Sequence, residues 1–272
     1  MTSTPPDFAQ LKSNMKAAWM AGDFGQIAVY SAKAAEEFVA RTTITRGTRV
    51  LDVACGTGNT PIPAARAGGV VTGIDIAPNL LEQARERAAA EHLDIQFQEG
   101  DAEQLSYPDG SFDVVQTMFG AMFAPRPEQV AAELLRVCRS GGVIAMANWT
   151  PQGFVGKSFQ LTAKMVPPPP GVPAPVLWGD EETVRQRLAK GVAKLSLTRQ
   201  KILFEYPFPP KDMVILFREY FGPTQVAFKR LDADGQLALA SQLEALWKEH
   251  NQANDGTTRV EVEYLEVRAI RA

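Results

Sequence analysis

Three aspartates and one glycine loop are the residues of this 272-residue chain best placed to do chemistry. Asp52 lies within the apolar run RVLDVA, and the loop ACGTGNT follows it. Asp75 closes a second apolar run, GVVTGIDI, and Asp101 sits in EGDAEQL after a third. Gly56 and Gly58 allow a tight turn and close approach of the backbone to a ligand, and the following helix offers free N–H groups. A dinucleotide fingerprint would need a third glycine where Pro61 stands. A P-loop would need Gly-Lys-Ser/Thr after four spacers, and this loop has no lysine. Asp52 would repel a phosphate but favour an amino group or a sulfonium. Asp75 occupies the usual place for an acid that binds ribose hydroxyls, and Asp101 is placed to receive the amino group of an adenine. Together they describe an adenosine that carries an amino acid and no pyrophosphate, which is S-adenosylmethionine.

The elements that must hold these residues alternate. The strands RVLDVA, GVVTGIDI, IQFQE, SFDVVQTMF and GVIAMANWT are interleaved with helical segments beginning near TPIPAARAG, APNLLEQARERAAAEH and PEQVAAELLRVCRSGG. Strand–helix alternation predicts an α/β fold, a parallel sheet covered on both faces and doubly wound by right-handed crossovers. Before it, residues 8–42 read as helices broken at GDFG. After residue 150 the alternation gives way to a proline- and glycine-rich segment. A sixth strand (LTRQKILFEYPF), two helices and the alternating TTRVEVEYLEVRAIRA follow, the last predicting an edge or antiparallel strand with one wetter face. The expected organisation is one compact domain: an N-terminal helical lid over 1–45, a cofactor core over 46–150, a substrate-pocket insertion over 151–195, and a C-terminal completion of the sheet over 196–272.

The segment from about Arg49 to Trp149 resembles the class I S-adenosylmethionine-dependent methyltransferases. It is most similar to their small-molecule branch, the methyltransferase type 11 group that includes the ubiquinone/menaquinone methyltransferases. VLDVACGTG corresponds to the first motif of the family, GIDIA to the second, GDAEQLSYPDGSFDVV to the third and fourth, and ELLRVCRSGG to the fifth. The resemblance implies a Rossmann-like sheet of seven strands, the last antiparallel, with the N-terminal helices and the insertion after strand 5 forming a cap. It implies that Ala54, Gly56 and Gly58 contact the methionine part through backbone atoms, with Asp52 oriented toward it. Asp75 would bind the ribose, with Ile76 against the adenine, while Asp101 and Ala102 would bind the adenine edge. Backbone near Thr117 and Met118 would approach the methionine amine and sulfonium, and Tyr30 would close over the cofactor from the lid.

The acceptor side is expected among Trp19, Phe119, Met122, Phe123, Trp149, Phe154, Phe159 and Trp178, whose rings could stack on a flat substrate or favour the sulfonium. Where the quinone enzymes tend to carry FGLRN, this chain reads FGAMF, with apolar groups in place of a polar pair. The expected reaction is direct SN2 methyl transfer to a small organic molecule, giving S-adenosylhomocysteine. No general base is evident, and no catalytic residue is assigned. The alternative is a methyltransferase fold that uses S-adenosylmethionine for other chemistry or as a structural ligand. Cys55 and Cys138 read as packing residues. With two histidines and no close ligand cluster, no metal is expected.

Composition bounds the partners. Apolar residues make up 45% and charged residues 22%, with a formal net charge of −3. No basic block is present, which argues against a nucleic-acid substrate, as does the lack of the Asn/Asp-Pro-Pro-Tyr/Phe motif of base-amino methyltransferases. No secretory h-region or membrane span is expected, and the expected setting is cytoplasmic, as a monomer or homodimer.

Overall fold

A computed structural model describes residues 6–272; residues 1–5 of the expected lid segment lie outside the described residues. The chain opens with three helices, α1 (Phe8–Ala21), α2 (Gly25–Ala28) and α3 (Ala32–Ala40). Asp7 starts α1 by accepting the N–H groups of Ala9 and Gln10, as a short acidic N-cap does. Next come β1 (Arg49–Val53), α4 (Pro61–Arg66), β2 (Val70–Asp75), α5 (Pro78–Ala90), β3 (Ile95–Glu99), β4 (Phe112–Met118), α6 (Pro127–Val137) and β5 (Cys138–Trp149). The helices α4, α5 and α6 each carry proline in the first turn, where a missing N–H leaves no helical bond unmade. The remainder is α7 (Phe154–Met165), α8 (Glu181–Leu188), β6 (Val192–Tyr206), α9 (Pro210–Tyr220), α10 (Gly222–Lys229), α11 (Ala233–His250) and β7 (Thr258–Arg271).

The strands form one sheet in the order β3-β2-β1-β4-β5-β7-β6. β1 to β5 are joined by parallel pairings, and β7 runs antiparallel to both neighbours. This is the seven-stranded, Rossmann-like sheet with an antiparallel last strand. β7 is antiparallel but not the edge: it lies between β5 and β6, and β6 takes the edge. Burial explains the exchange, because Val260, Val262, Tyr264, Leu265, Val267 and Ala269 of β7 are all buried, whereas much of β6 remains open to solvent.

The chain builds outward from β1 through β2 to β3, then returns to place β4 on the other side of β1. Such a reversal leaves a crevice at the carboxyl ends of the two central strands. The segment after β6 also does more than complete the sheet. Its helices pack around that end, α9 against α2, α10 against α1, and α11 against α7.

Candidate active site

The ends of β1 and β4 are tightly turned. Ala54 (φ 57°) and Phe119 (φ 59°) both hold left-handed backbone, which costs roughly 1–2 kcal/mol for a residue with a side chain and collects at functional sites. Within the glycine loop, Gly56 has φ 53° and a Cβ there would meet nothing within 4 Å, so its backbone faces open space. Gly58 (φ 89°) serves packing: a Cβ there would lie 3.2 Å from Ile62 and 3.4 Å from Ala84. The loop is tied from beneath by Asp75, whose carboxylate accepts the Gly56 N–H at 2.8 Å and the Ala77 N–H at 2.9 Å. Burial raises the Asp75 pKa, against the pull of these backbone donors.

A cavity of about 120 Å³ opens over this loop. Ala54, Gly56, Asp75, Ile76, Asp101, Ala102 and Met118 line it, so the structure brings seven of the expected cofactor residues together. The others lie elsewhere. Gly58 is displaced into the packing just described. Thr117 is buried, and its hydroxyl accepts the Ala121 N–H at 3.2 Å. Tyr30 packs against Tyr206 with ring centroids 4.2 Å apart and the rings tilted by 45°, and it lies outside the lining of this cavity; the adjacent Ser31 faces the site instead.

Asp52 stands apart from these cavity-lining residues. It is fully buried and outside the cavity lining. Its backbone pairs with Gln116 across the β1–β4 ladder, and side chains paired in register share a face of the sheet. The Gln116 amide therefore donates to the Asp52 carboxylate at 2.6 Å. Its other oxygen, Oδ1, has no partner among the described residues. Burial pushes the Asp52 carboxyl up to about 7.

Several site residues escaped the sequence because they meet it from a distance. Lys12 of α1 reaches Asp101 at 2.5 Å and Glu103 at 2.8 Å. Burial works against its charge, but these two hydrogen bonds outweigh it and raise the Lys12 pKa. Glu103, with a fully buried side chain, is also held by Arg126 at 2.8 Å, and Lys16 of α1 pairs with Glu99. Asn59 donates to the Ala28 carbonyl at 2.8 Å, fastening the glycine loop to the N-terminal helices. The Arg87 guanidinium holds the same loop through the Thr57 carbonyl at 2.5 Å and the Asn59 side-chain oxygen at 2.9 Å.

A second, larger cavity of about 490 Å³ lies beside the first. Met15, Trp19, Phe24, Ser31, Phe119, Phe123 and Pro125 line both. Of the expected acceptor-side residues, Trp19, Phe119, Phe123, Trp149, Phe154 and Phe159 line the larger chamber. Phe119 stacks flat on Trp149, 3.5 Å between centroids. Met122 and Trp178 do not line it. Met122 is in the core, and Trp178 is buried beneath the Arg187 guanidinium, 4.5 Å from its ring centroid. The insertion after β5 supplies one wall through α7 and the proline-rich segment. Tyr206, Val214, Phe217, Leu243 and Trp247, from β6, α9 and α11, supply another. Nothing in the sequence of β6, α9 or α11 signals this second wall.

Residues 51–146 match the family described as a methyltransferase domain, Methyltransf_11. An uncharacterized protein of Mycobacterium tuberculosis is 40% identical over 215 residues, covering 78% of this chain and 78% of that protein. A second from the same organism is 35% identical over 260 residues, covering 94% and 93%. The chain belongs to the class I S-adenosylmethionine-dependent methyltransferases. Within that family, the demethylmenaquinone methyltransferase of Deinococcus radiodurans is 42% identical over 124 residues, 44% of this chain and 52% of that protein. The fold is also shared with solved structures. A putative methyltransferase from Bacillus halodurans superposes with a TM-score of 0.60 at 17% identity, over 87% of this chain and 97% of that one. A phosphoethanolamine N-methyltransferase of Haemonchus contortus, solved with phosphomonomethylethanolamine and S-adenosylhomocysteine, superposes with a TM-score of 0.54 at 18% identity, over 87% and 52%. This methyltransferase-family chain has no group of three or more His, Cys, Asp or Glu arranged to hold a metal among the described residues. No helix among them is long and apolar enough to cross a membrane.

Proposed function

We propose that the chain is an S-adenosylmethionine-dependent methyltransferase that acts on a small organic molecule by direct transfer, releasing S-adenosylhomocysteine. One observation carries this reading. The cavity over the glycine loop adjoins a second chamber of about 490 Å³, and Phe119, Phe123, Met15 and Trp19 line both. That volume falls in the range of about 300–1,000 Å³ usual for small-molecule sites.

The residues present fit the cofactor. Gly56 turns bare backbone to the cavity, where a methionine carboxylate or amine could lie close. Asp75, already bonded to the loop, lines the cavity where ribose hydroxyls would donate to it. Ile76 and Ala102 offer apolar surface for the adenine, and Asp101 is the acceptor for its amino group. The cofactor would supply a methyl group already activated on a sulfonium. The chain's own task is to align the acceptor and exclude water, which the stacked Phe119 and Trp149 suit. Cys55 lines the donor cavity, yet burial holds its thiol well above the ordinary range. It therefore stays protonated and is a poor nucleophile, which favours direct transfer over a covalent enzyme intermediate. The demethylmenaquinone and phosphoethanolamine relatives, whose names specify small acceptors, support the same reading.

The test is turnover with a methyl-labelled donor across phenols, amines and thiols, alongside calorimetry with S-adenosylhomocysteine. Label transfer to at least one acceptor is expected. Tight cofactor binding with no S-adenosylhomocysteine formed from any acceptor would overturn the reading.

A further inference from the structure

The larger chamber has a lining of one chemical character. Not one Asp, Glu, Lys, Arg or His lines it among the described residues. A belt of rings runs around it: Trp149 meets Phe204 at 5.9 Å between centroids, Phe204 meets Tyr206 at 6.1 Å, Tyr206 meets Trp247 at 5.8 Å, and Trp247 meets Phe217 at 5.6 Å. Residues 167–170, the four-proline run, contribute Pro168 and Pro169 to the wall, and such a run is stiff.

The polar lining is sparse and neutral, and part of it is already occupied. Gln160 donates to the Pro151 carbonyl at 3.0 Å, Thr162 to the Ser158 carbonyl at 3.1 Å, and Ser31 to the Ala28 carbonyl at 2.9 Å. The hydroxyls of Ser158, Tyr206 and Thr224 remain to meet polar atoms of an occupant. The phenol of Tyr206, almost fully buried, is pushed far up by burial and stays a neutral hydroxyl.

We infer that the methyl acceptor is an uncharged, flat and largely aromatic molecule held whole within this chamber, and that charged acceptors are disfavoured. A buried ion needs a partner of opposite charge or a dense set of hydrogen bonds, and this lining offers neither. A cation could be drawn to exposed ring faces. Here, though, three of the four ring pairs in the belt meet edge to face, at 76°, 76° and 90°. The edge of one ring thus covers part of the face of the next, and no carboxylate stands by to balance a cation. An uncharged lining rich in rings packs favourably against a planar apolar body through offset-stacked or edge-to-face contacts. That the occupant is the acceptor rests on the methyl-transfer reading above; the preference of the chamber for uncharged molecules does not.

The experiment is titration calorimetry of the full chain with three matched probes: 2-methoxynaphthalene, 2-naphthoate and 2-naphthylmethylammonium. The neutral probe should bind at least tenfold more tightly than either ion. Ala163→Trp, which fills the chamber from α7, should weaken neutral binding at least tenfold. Ser158→Lys should do the same and shift the preference toward 2-naphthoate. Binding of S-adenosylhomocysteine should be unchanged in both variants. Equal or tighter binding of either charged probe overturns the inference, as does neutral binding that neither variant disturbs. If S-adenosylhomocysteine fails to bind the unaltered chain, the methyl-transfer reading falls, and the probe ranking then judges the selectivity of the chamber alone.

Discussion

Gly120 lies so close to Ala54 that a methyl group on it would stand 2.4 Å from the Ala54 carbonyl oxygen and 2.7 Å from the Ala54 Cβ. The ends of β4 and β1 are thereby pressed together beneath the cavity, each next to a residue in left-handed backbone. Gly120→Ala has no flexible side chain to displace, only backbone. It should cost about 1–3 kcal/mol or more, read as a lower thermal midpoint, and should weaken S-adenosylhomocysteine binding. A variant with unchanged stability and affinity would show that the two strand ends are not held this closely.

Asp75 has both structural and binding work, and its replacement should register in both. Asp75→Ala removes the acceptor of two backbone N–H groups along with the proposed ribose partner. Hydrogen bonds to a charged group contribute roughly 1.5–3 kcal/mol, so cofactor affinity should fall by at least tenfold. Calorimetry with S-adenosylhomocysteine measures this, and undiminished affinity would rule Asp75 out of the ribose site.

Lys12 fastens α1 to the donor site through Asp101 and the buried Glu103. Lys12→Met keeps the apolar stem and removes the charge. It should destabilise the docked helix by about 1–2 kcal/mol, above the usual ~0–1 kcal/mol of an exposed ion pair because Glu103 is left with one fewer partner. Amide hydrogen exchange should then quicken across α1 while β1 and β4 keep their protection. Identical exchange in α1 would mean the helix is held by its apolar face alone.

Asp52 should give stability a pH dependence opposite to that of an ordinary paired carboxylate. Its folded-state pKa, about 7, lies above the unfolded value. The native state therefore binds the extra proton, and this contribution to stability is full below about pH 4 and is lost as pH rises toward 7. Each unit of separation is worth roughly 1.4 kcal/mol. Asp52→Asn removes the titration and leaves an amide oxygen to accept from Gln116. Relative to the parent, its stability should improve steadily between pH 4 and pH 7 in denaturant titrations. Parallel pH profiles for the two proteins would refute the buried, protonated state.

Much of the fold and of the lining of the cavity over the glycine loop was legible from local signals. The strand runs, the prolines opening α4, α5 and α6, and the loop around Gly56 all depend on residues near one another in sequence. Asp75 and Asp101 could be placed because strand ends in a doubly wound sheet converge by topology. The pattern around Asp52 fixes its strand but not which face it takes or what lies across from it. The Gln116 amide on β4 decides that. The packing of Tyr30, Met122 and Trp178 outside both cavity linings was not legible for a related reason: an aromatic or thioether beside a cavity and one beneath it have the same local pattern.

By itself, the sequence determined the α/β class, the methyltransferase family and the tight turn of the glycine loop, because strand–helix alternation, motif residues and glycine conformations act over short range. Only the tertiary structure decided the larger chamber. The chamber is assembled from α1, the turn after β4, α7, the proline-rich segment, β6, α9 and α11, elements separated by up to most of the chain. Each is apolar for the ordinary reason that it is buried, and nothing local distinguishes a ring facing a cavity from a ring facing the core. Packing alone left the space among Trp149, Phe204, Tyr206 and Trp247 unfilled.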